Sequence, residues 1–246
     1  MSREIASFQV LAEWCAVLSM AFALAAPVSA QQAPVTAHVR LRHQSSDKVA
    51  RTDSGVVVWL RPLDPAPVAS ASPSKRLKLI QFHKTFEAHV LVVQVGSVVD
   101  FPNRDPFFHN VFSLFDGKRF DLGLYEAGAT NSVRFDRVGV SFLFCNIHPE
   151  MSAVVVTVDT PYSGVSDASG TVRIANVPDG RYELHYWSER GLPEAMKQMT
   201  KIVAISDSSR SLEPVEIAEN PSFTNAHKNK YGQEYAPPAN TDYPRP

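Results

Sequence analysis

The chain has 246 residues, 44% of them hydrophobic and 20% charged, with a formal net charge of −1. That is enough chain for one large or two small domains with a full core, in the composition range of a soluble globule. Leaving out residues 1–30, which carry Arg3, Glu4 and Glu13, gives 23 basic against 23 acidic side chains. A neutral body without a basic run excludes nucleic-acid and anionic-membrane binding.

The N-terminus reads as an export signal over 1–30. Arg3 stands near the start, an apolar stretch runs from Trp14 to Ala26, and Val28-Ser29-Ala30 supplies small residues for cleavage. The stretch is too short for a transmembrane helix, so no stable membrane insertion is expected after cleavage; an uncleaved anchor is the competing reading. Cys15 leaves with the signal, which makes Cys145 the lone thiol of the exported chain. In an oxidising compartment a lone thiol is prone to oxidation and mispairing, and a bound metal is one reason to keep it.

From residue 34 on, strand patterns dominate. Val35 to Leu41 alternates, and Val56 to Leu60 is a β-branched run stopped by Pro62. Residues 63–77 are rich in Pro, Ala and Ser, and read as a linker. His89 to Val95, Val98 to Phe101, Val111 to Phe115 and Ser132 to Phe135 follow as short strands. Val140 to Cys145 is apolar on both faces, as in the middle of a sandwich, and Val154 to Val158 comes next. After Pro161 come turns at 167–170 and 178–180, alternating strands at 172–174, 181–187 and 201–205, and one short helix, Pro193 to Met199. Residues 219–246 show no apolar periodicity and read as a disordered tail. The fold class is therefore all-β, built of sandwiches or barrels.

The chemistry concentrates in Cys145-Asn146-Ile147-His148-Pro149-Glu150-Met151. A thiolate, an imidazole and a thioether at a strand end suit copper, which must be stable as both Cu(I) and Cu(II). Zinc is disfavoured, because Met is a poor zinc ligand. A straight strand would aim Cys145 and His148 at opposite faces, so the chain must turn after Cys145. Three ligands leave room for another imidazole, and His109, at the start of a strand after a turn, is the best candidate. Glu150 is an alternative oxygen ligand beside Met151. His38, His43, His83, His89, His185 and His227 lack a ligand pattern and read as ordinary side chains.

These residues resemble the cupredoxins. Phe86, the run from Val93 to Asn103, His109-Asn110-Val111, Gly139 and Cys145-x-x-His148-x-x-Met151 match that family over residues 78–160, about a third of the chain. The tight loop is most similar to that of the amicyanins. The resemblance implies a Greek-key β-sandwich holding one copper ion. His109, Cys145 and His148 would be its equatorial ligands and Met151 its long axial one. It also implies that Asn110 hydrogen-bonds across to the loop bearing Cys145, and that the edge of His148 reaches the surface. Pro106, Phe107, Ile147 and Pro149 would ring that edge for a redox partner. Proteins of this kind are often labelled methylamine-utilisation-like, which hints at a periplasmic dehydrogenase, or else a cytochrome, as partner.

Residues 163–187 resemble the carboxypeptidase-regulatory-like, or prealbumin-like, modules through Asp167-x-x-Gly170 and Ile174-x-x-Val177-Pro178-x-Gly180-x-Tyr182. Such modules begin with two strands that are missing just before 163 but present at 35–41 and 56–62. The expected arrangement is a smaller prealbumin-like β-sandwich, 31–62 plus 163–218, with the copper segment inserted into it; two domains in tandem are the alternative. The leading functional expectation is a periplasmic electron carrier, not an enzyme, since four protein ligands leave no open position for substrate. A copper-delivery protein, or an enzyme with an altered axial ligand, are the competing readings.

Overall fold

The computed structural model describes residues 32–42, 52–64, 76–114 and 117–235. The expected signal at 1–30, most of the linker and the last eleven residues, 236–246, lie outside the described residues. Among the described residues no helix is long and apolar enough to cross a membrane.

Strands β1 (Val35–Arg42) and β2 (Val57–Pro62) come first, followed by the short β3 (Leu77–Lys78), β4 (Gln81–Phe82) and β5 (Thr85–Phe86). A second group contains β6 (Val90–Gln94), β7 (Val98–Pro102), β8 (His109–Ser113), β9 (Phe120–Tyr125), β10 (Thr130–Arg134), β11 (Gly139–Cys145) and β12 (Ser152–Val158). The chain then forms β13 (Ser163–Val165), β14 (Thr171–Ile174), β15 (Gly180–Trp187), helix α1 (Pro193–Gln198), β16 (Lys201–Ile205) and β17 (Val215–Ala218). Among the described residues the fold is all-β, with one turn and a half of helix started by Pro193, whose missing N–H costs nothing at that position.

Two pairs of sheets result. One pair has the orders β6-β12-β11-β8-β9 and β10-β7-β3. Its core contains Val99, Phe101, Val111, Phe135, Leu143, Cys145, Met151, Ala153 and Val155. The other pair has the orders β14-β1-β17 and β13-β2-β15-β16, around a core of Val39, Leu41, Val58, Leu60, Val172, Ile174, Tyr182 and Leu184. Thus β1 and β2 hydrogen-bond to strands beyond residue 160, across the whole second group. The Asp167–Gly170 turn that feeds β14 needs its glycine. Gly170 has φ +78°, and a Cβ there would sit 2.0 Å from the Val39 carbonyl oxygen.

Strand β12 joins the two cores. Ala153 and Val155 face the first core, while Val154, Val156 and Val158 form a third cluster with Val57, Trp59, Val165 and Trp187 from the strands of the other pair. This is why its sequence, AVVVTV, is apolar at nearly every position. Polar contacts also tie the second pair internally: the Arg190 guanidinium donates to the carbonyls of Thr52 and Ser54 at 2.7 and 3.1 Å.

His89 adds a charged tie. Its Nδ1 lies 3.0 Å from the Ser152 carbonyl and its Nε2 2.6 Å from the Glu189 carboxylate. Both ring nitrogens face acceptors, so only the imidazolium satisfies both. The Glu189 carboxylate accordingly raises the His89 pKa, against the effect of burial.

Two outcomes follow from this seam. Val156→Ala should cost about 2 kcal/mol in urea unfolding, since a buried methyl pair is lost and a cavity remains; sandwiches that merely touched would lose almost nothing. A raised folded-state pKa contributes stability in full below the unfolded value of about 6.5, and that contribution fades as pH rises through the folded value. His89→Ala should therefore destabilise at pH 6 and have little effect at pH 9. Equal destabilisation at both would show that the imidazolium contributes nothing.

Candidate metal centre

Register brings the first two donors together. Cys145, the last residue of β11, lies opposite Val111 of β8, and His109 is two residues earlier in β8. Directly opposed residues share a sheet face and i, i+2 neighbours do too, so Cys145 and His109 point the same way. His148 is returned to that face by a closed loop. Its carbonyl accepts from the Met151 N–H at 3.1 Å, with Pro149 next in the turn, and the Met151 carbonyl accepts from the Cys145 N–H at 3.2 Å. Proline suits this second turn position because its φ is already set. The loop is also sewn to β8, since the Asn146 N–H donates to the Asn110 carbonyl at 3.3 Å.

Three donor atoms converge as a result. The Nδ1 atoms of His109 and His148 are 3.1 Å apart, and Cys145 Sγ lies 3.8 and 3.4 Å from them. All the donor atoms of these three residues lie within 4.8 Å of one another. His109, Cys145 and Met151 are fully buried, and His148 is half-buried. Met151 belongs to the same apolar cluster as Cys145, whereas Glu150 at the loop tip is exposed.

Burial governs the electrostatics. It pulls the His148 pKa down to about 4, helped by neighbouring His109 and Lys84. Burial likewise lowers that of His109, against the pull of Asp105. Burial pushes the Cys145 thiol up, while the main-chain N–H groups of Asn110, Ile147 and His148 favour the thiolate. At neutral pH both imidazoles are uncharged, with lone pairs free for a cation.

Asp105 sets the tautomer of His109 and was not singled out by the sequence. Its Oδ2 accepts from His109 Nε2 at 2.8 Å and from the Lys84 N–H at 3.0 Å, and its Oδ1 accepts from the His83 N–H at 2.7 Å. Burial opposes charge on this carboxyl, but those two amides and the imidazole outweigh it and hold the pKa below the usual value. With the proton on Nε2, the Nδ1 lone pair of His109 must face the sulfur. Asn103 orders the same loop by accepting from the Asp105 N–H and donating to the Phe107 carbonyl.

Asn110 departs from its expected role. Strand alternation turns its side chain away from the donors, and its Nδ2 donates to Asp121 and to the Gly123 carbonyl at 2.6 and 2.9 Å. Its main chain, not its side chain, meets the Cys145 loop. Of the expected rim, Pro106, Phe107 and Ile147 line a depression beside His148, together with Phe108, Leu124, Glu126 and Ala127. Pro149 is exposed but does not line it. Phe108 and Leu124, 54% and 63% exposed, are the larger apolar surfaces there; Phe108 just precedes β8 and Leu124 lies on the edge strand β9, so no regular pattern marks them.

The site is thus one buried and one half-buried imidazole with a buried thiol at the end of a β-sandwich. No protein-family model matches the chain, and no curated protein matches it in sequence. Solved structures do resemble parts of it, and they are copper proteins of the cupredoxin type. A copper-containing nitrite reductase from Thermus scotoductus SA-01 is 21% identical over 35% of this chain, with a TM-score of 0.34, and the match spans 23% of the reductase. A purple cupredoxin from Nitrosopumilus maritimus is 22% identical over 33% of this chain and 99% of its own, with a TM-score of 0.31. A mutant amicyanin in its Cu(I) form is 21% identical over 41% of this chain and 98% of its own, with a TM-score of 0.33.

Asp105→Ala should release His109 to either tautomer without removing a donor atom. Loss of such an outer partner weakens metal binding by about 10- to 100-fold. Competition for Cu(II) with a chromophoric chelator measures this; unchanged affinity would mean that packing alone orients His109.

Proposed function

We propose that this protein is a periplasmic type 1 copper electron carrier, with one copper ion held by His109, Cys145, His148 and Met151. The observation that carries this reading is the convergence of one ligand atom each from His109, Cys145 and His148 within 4.8 Å. The donor chemistry fits: imidazole, thiolate and a buried thioether suit an ion that alternates between Cu(I) and Cu(II), which is the redox capacity the metal supplies. Glu150, being exposed, is a weaker axial candidate than fully buried Met151.

The chain's own groups account for the rest. Main-chain N–H groups favour the thiolate, Asp105 orients His109, and the closed loop holds His148 beside an apolar depression. A rigid, largely dry donor set reorganises little between oxidation states. The apolar rim suits brief docking of a redox partner, a dehydrogenase or a cytochrome. We assign residues 78–160 to a copper module inserted into a prealbumin-like module made of 31–62 and 163–218; pairing of β1 with β14 and β17, and of β2 with β13 and β15, supports that division.

Copper loading tests the reading. The loaded protein should show an intense thiolate-to-copper absorption and a narrow paramagnetic hyperfine splitting. Cys145→Ser should abolish the absorption and His89→Ala should keep it; the opposite pattern, or a colourless wild type, would sink the assignment.

A further inference from the structure

Within the stretch expected to be a disordered tail, the described residues 223–235 lie against the metal loop. Three residues there are engaged. The His227 ring stacks on Phe144, with centroids 4.2 Å apart and 28° between planes. The Tyr235 hydroxyl donates to the Cys145 carbonyl at 2.6 Å, and the Lys230 N–H donates to Asn146 Oδ1 at 3.0 Å. Tyr235 and His227 also meet, hydroxyl to Nδ1, at 3.1 Å.

The segment reaches β9 as well. Lys230 Nζ is 2.7 Å from Asp121 Oδ2, and the other oxygen of that carboxylate holds the Asn110 side chain. Asn110 in turn stands next to His109 and faces the sulfur with its main chain. A tight turn at 229–233 makes both contacts possible. Asn229 Oδ1 accepts from the N–H groups of Tyr231 and Gln233, and Gly232 takes φ +75°. This is an Asx-type turn followed by a residue in the left-handed region.

We propose that residues 223–235 form a strap belonging to the metal centre, in which Tyr235, Lys230 and His227 are positioning residues for the loop that bears Cys145. The assignment rests on the copper reading above. Remote folding alone would anchor such a segment through apolar residues; here its hydrogen bonds fall on the backbone of one ligand and on the residue after it. A hydroxyl proton on the Cys145 carbonyl also draws electron density from that residue, so its removal leaves the thiolate a stronger donor.

Tyr235→Phe removes only the hydroxyl and keeps the ring. In the metal-free full chain, the amides of Cys145 and Met151 should exchange with deuterium about tenfold faster, the effect of losing one hydrogen bond of ordinary strength, while β15 amides stay unchanged. After Cu(II) loading, transfer of the ion to a chelator should also quicken about tenfold. The thiolate-to-copper absorption should move to longer wavelength and the reduction potential should fall, neither of which a remote structural defect would produce. Asn146→Ala, which removes the acceptor for Lys230, should speed the same exchange. Equal exchange and equal absorption in wild type and Tyr235→Phe would overturn the strap. A wild type that develops no such absorption would refute the copper reading, and the metal-free exchange would still decide whether the strap holds the loop.

Discussion

The hydrogen bond from the Cys145 N–H to the Met151 carbonyl is the constraint on which the site depends. It closes a loop short enough that His148 can only return toward the sulfur, and it continues the β11–β12 pairing past the last regular pair, Phe144 with Ser152. A longer loop would let His148 sample water and leave the thiol alone in the core. The bond also holds a crowded arrangement: two imidazole nitrogens and a sulfur lie within 3.8 Å of one another, with His109 and Cys145 fully buried, and contacts outside the site hold them in place.

Those contacts come from several directions. Asp105 ties down His109 from behind, and the Asn110 main chain bridges β8 to the loop. Strand β12, which follows the loop directly, is buried on both faces. A strand pinned between two cores cannot shift register without moving its side chains to the wrong face, so Met151 and Ser152 are fixed at the loop's far end. The second sandwich thereby contributes to the site without donating any group to it. Rigidity of this kind is what a centre that must look alike in two oxidation states requires.

Much of this was legible in the sequence. Period-two patterns located most of the strands, because alternate residues face cores, and the doubly apolar stretch from Val140 to Cys145 marked β11 as central. Donor residue types and their spacing marked His109, Cys145, His148 and Met151. What escaped notice has a common physical character. Strand β9, Phe120–Tyr125, is an edge strand with Gly123 at φ +67° and a register shift against β8, so its pattern is broken. Asp105 works through main-chain amides 21 and 22 residues away, which no local spacing reveals. Tyr235 reaches Cys145 across 90 residues through one hydroxyl. Polar side chains that bind backbone leave no periodicity, so a segment can be ordered while its sequence reads as a tail.

The two imidazoles are not equivalent, and the difference gives the proposed carrier a direction. Both turn Nδ1 to the sulfur, but the far nitrogen of His109 is buried against a carboxylate, while His148 borders the depression formed by Pro106, Phe108, Leu124 and Ile147. Polar contacts gather on the other sides of the site: Asp105 beneath His109, and Tyr235 and Lys230 on the Cys145 loop. Glu126 is the one acidic side chain lining that depression, so docking there strips water mainly from apolar groups. An electron leaving by the shortest route would pass through the His148 ring into whatever covers that depression. Burying the polarity behind the donors and leaving one imidazole beside an apolar rim makes one face of the sandwich the working face.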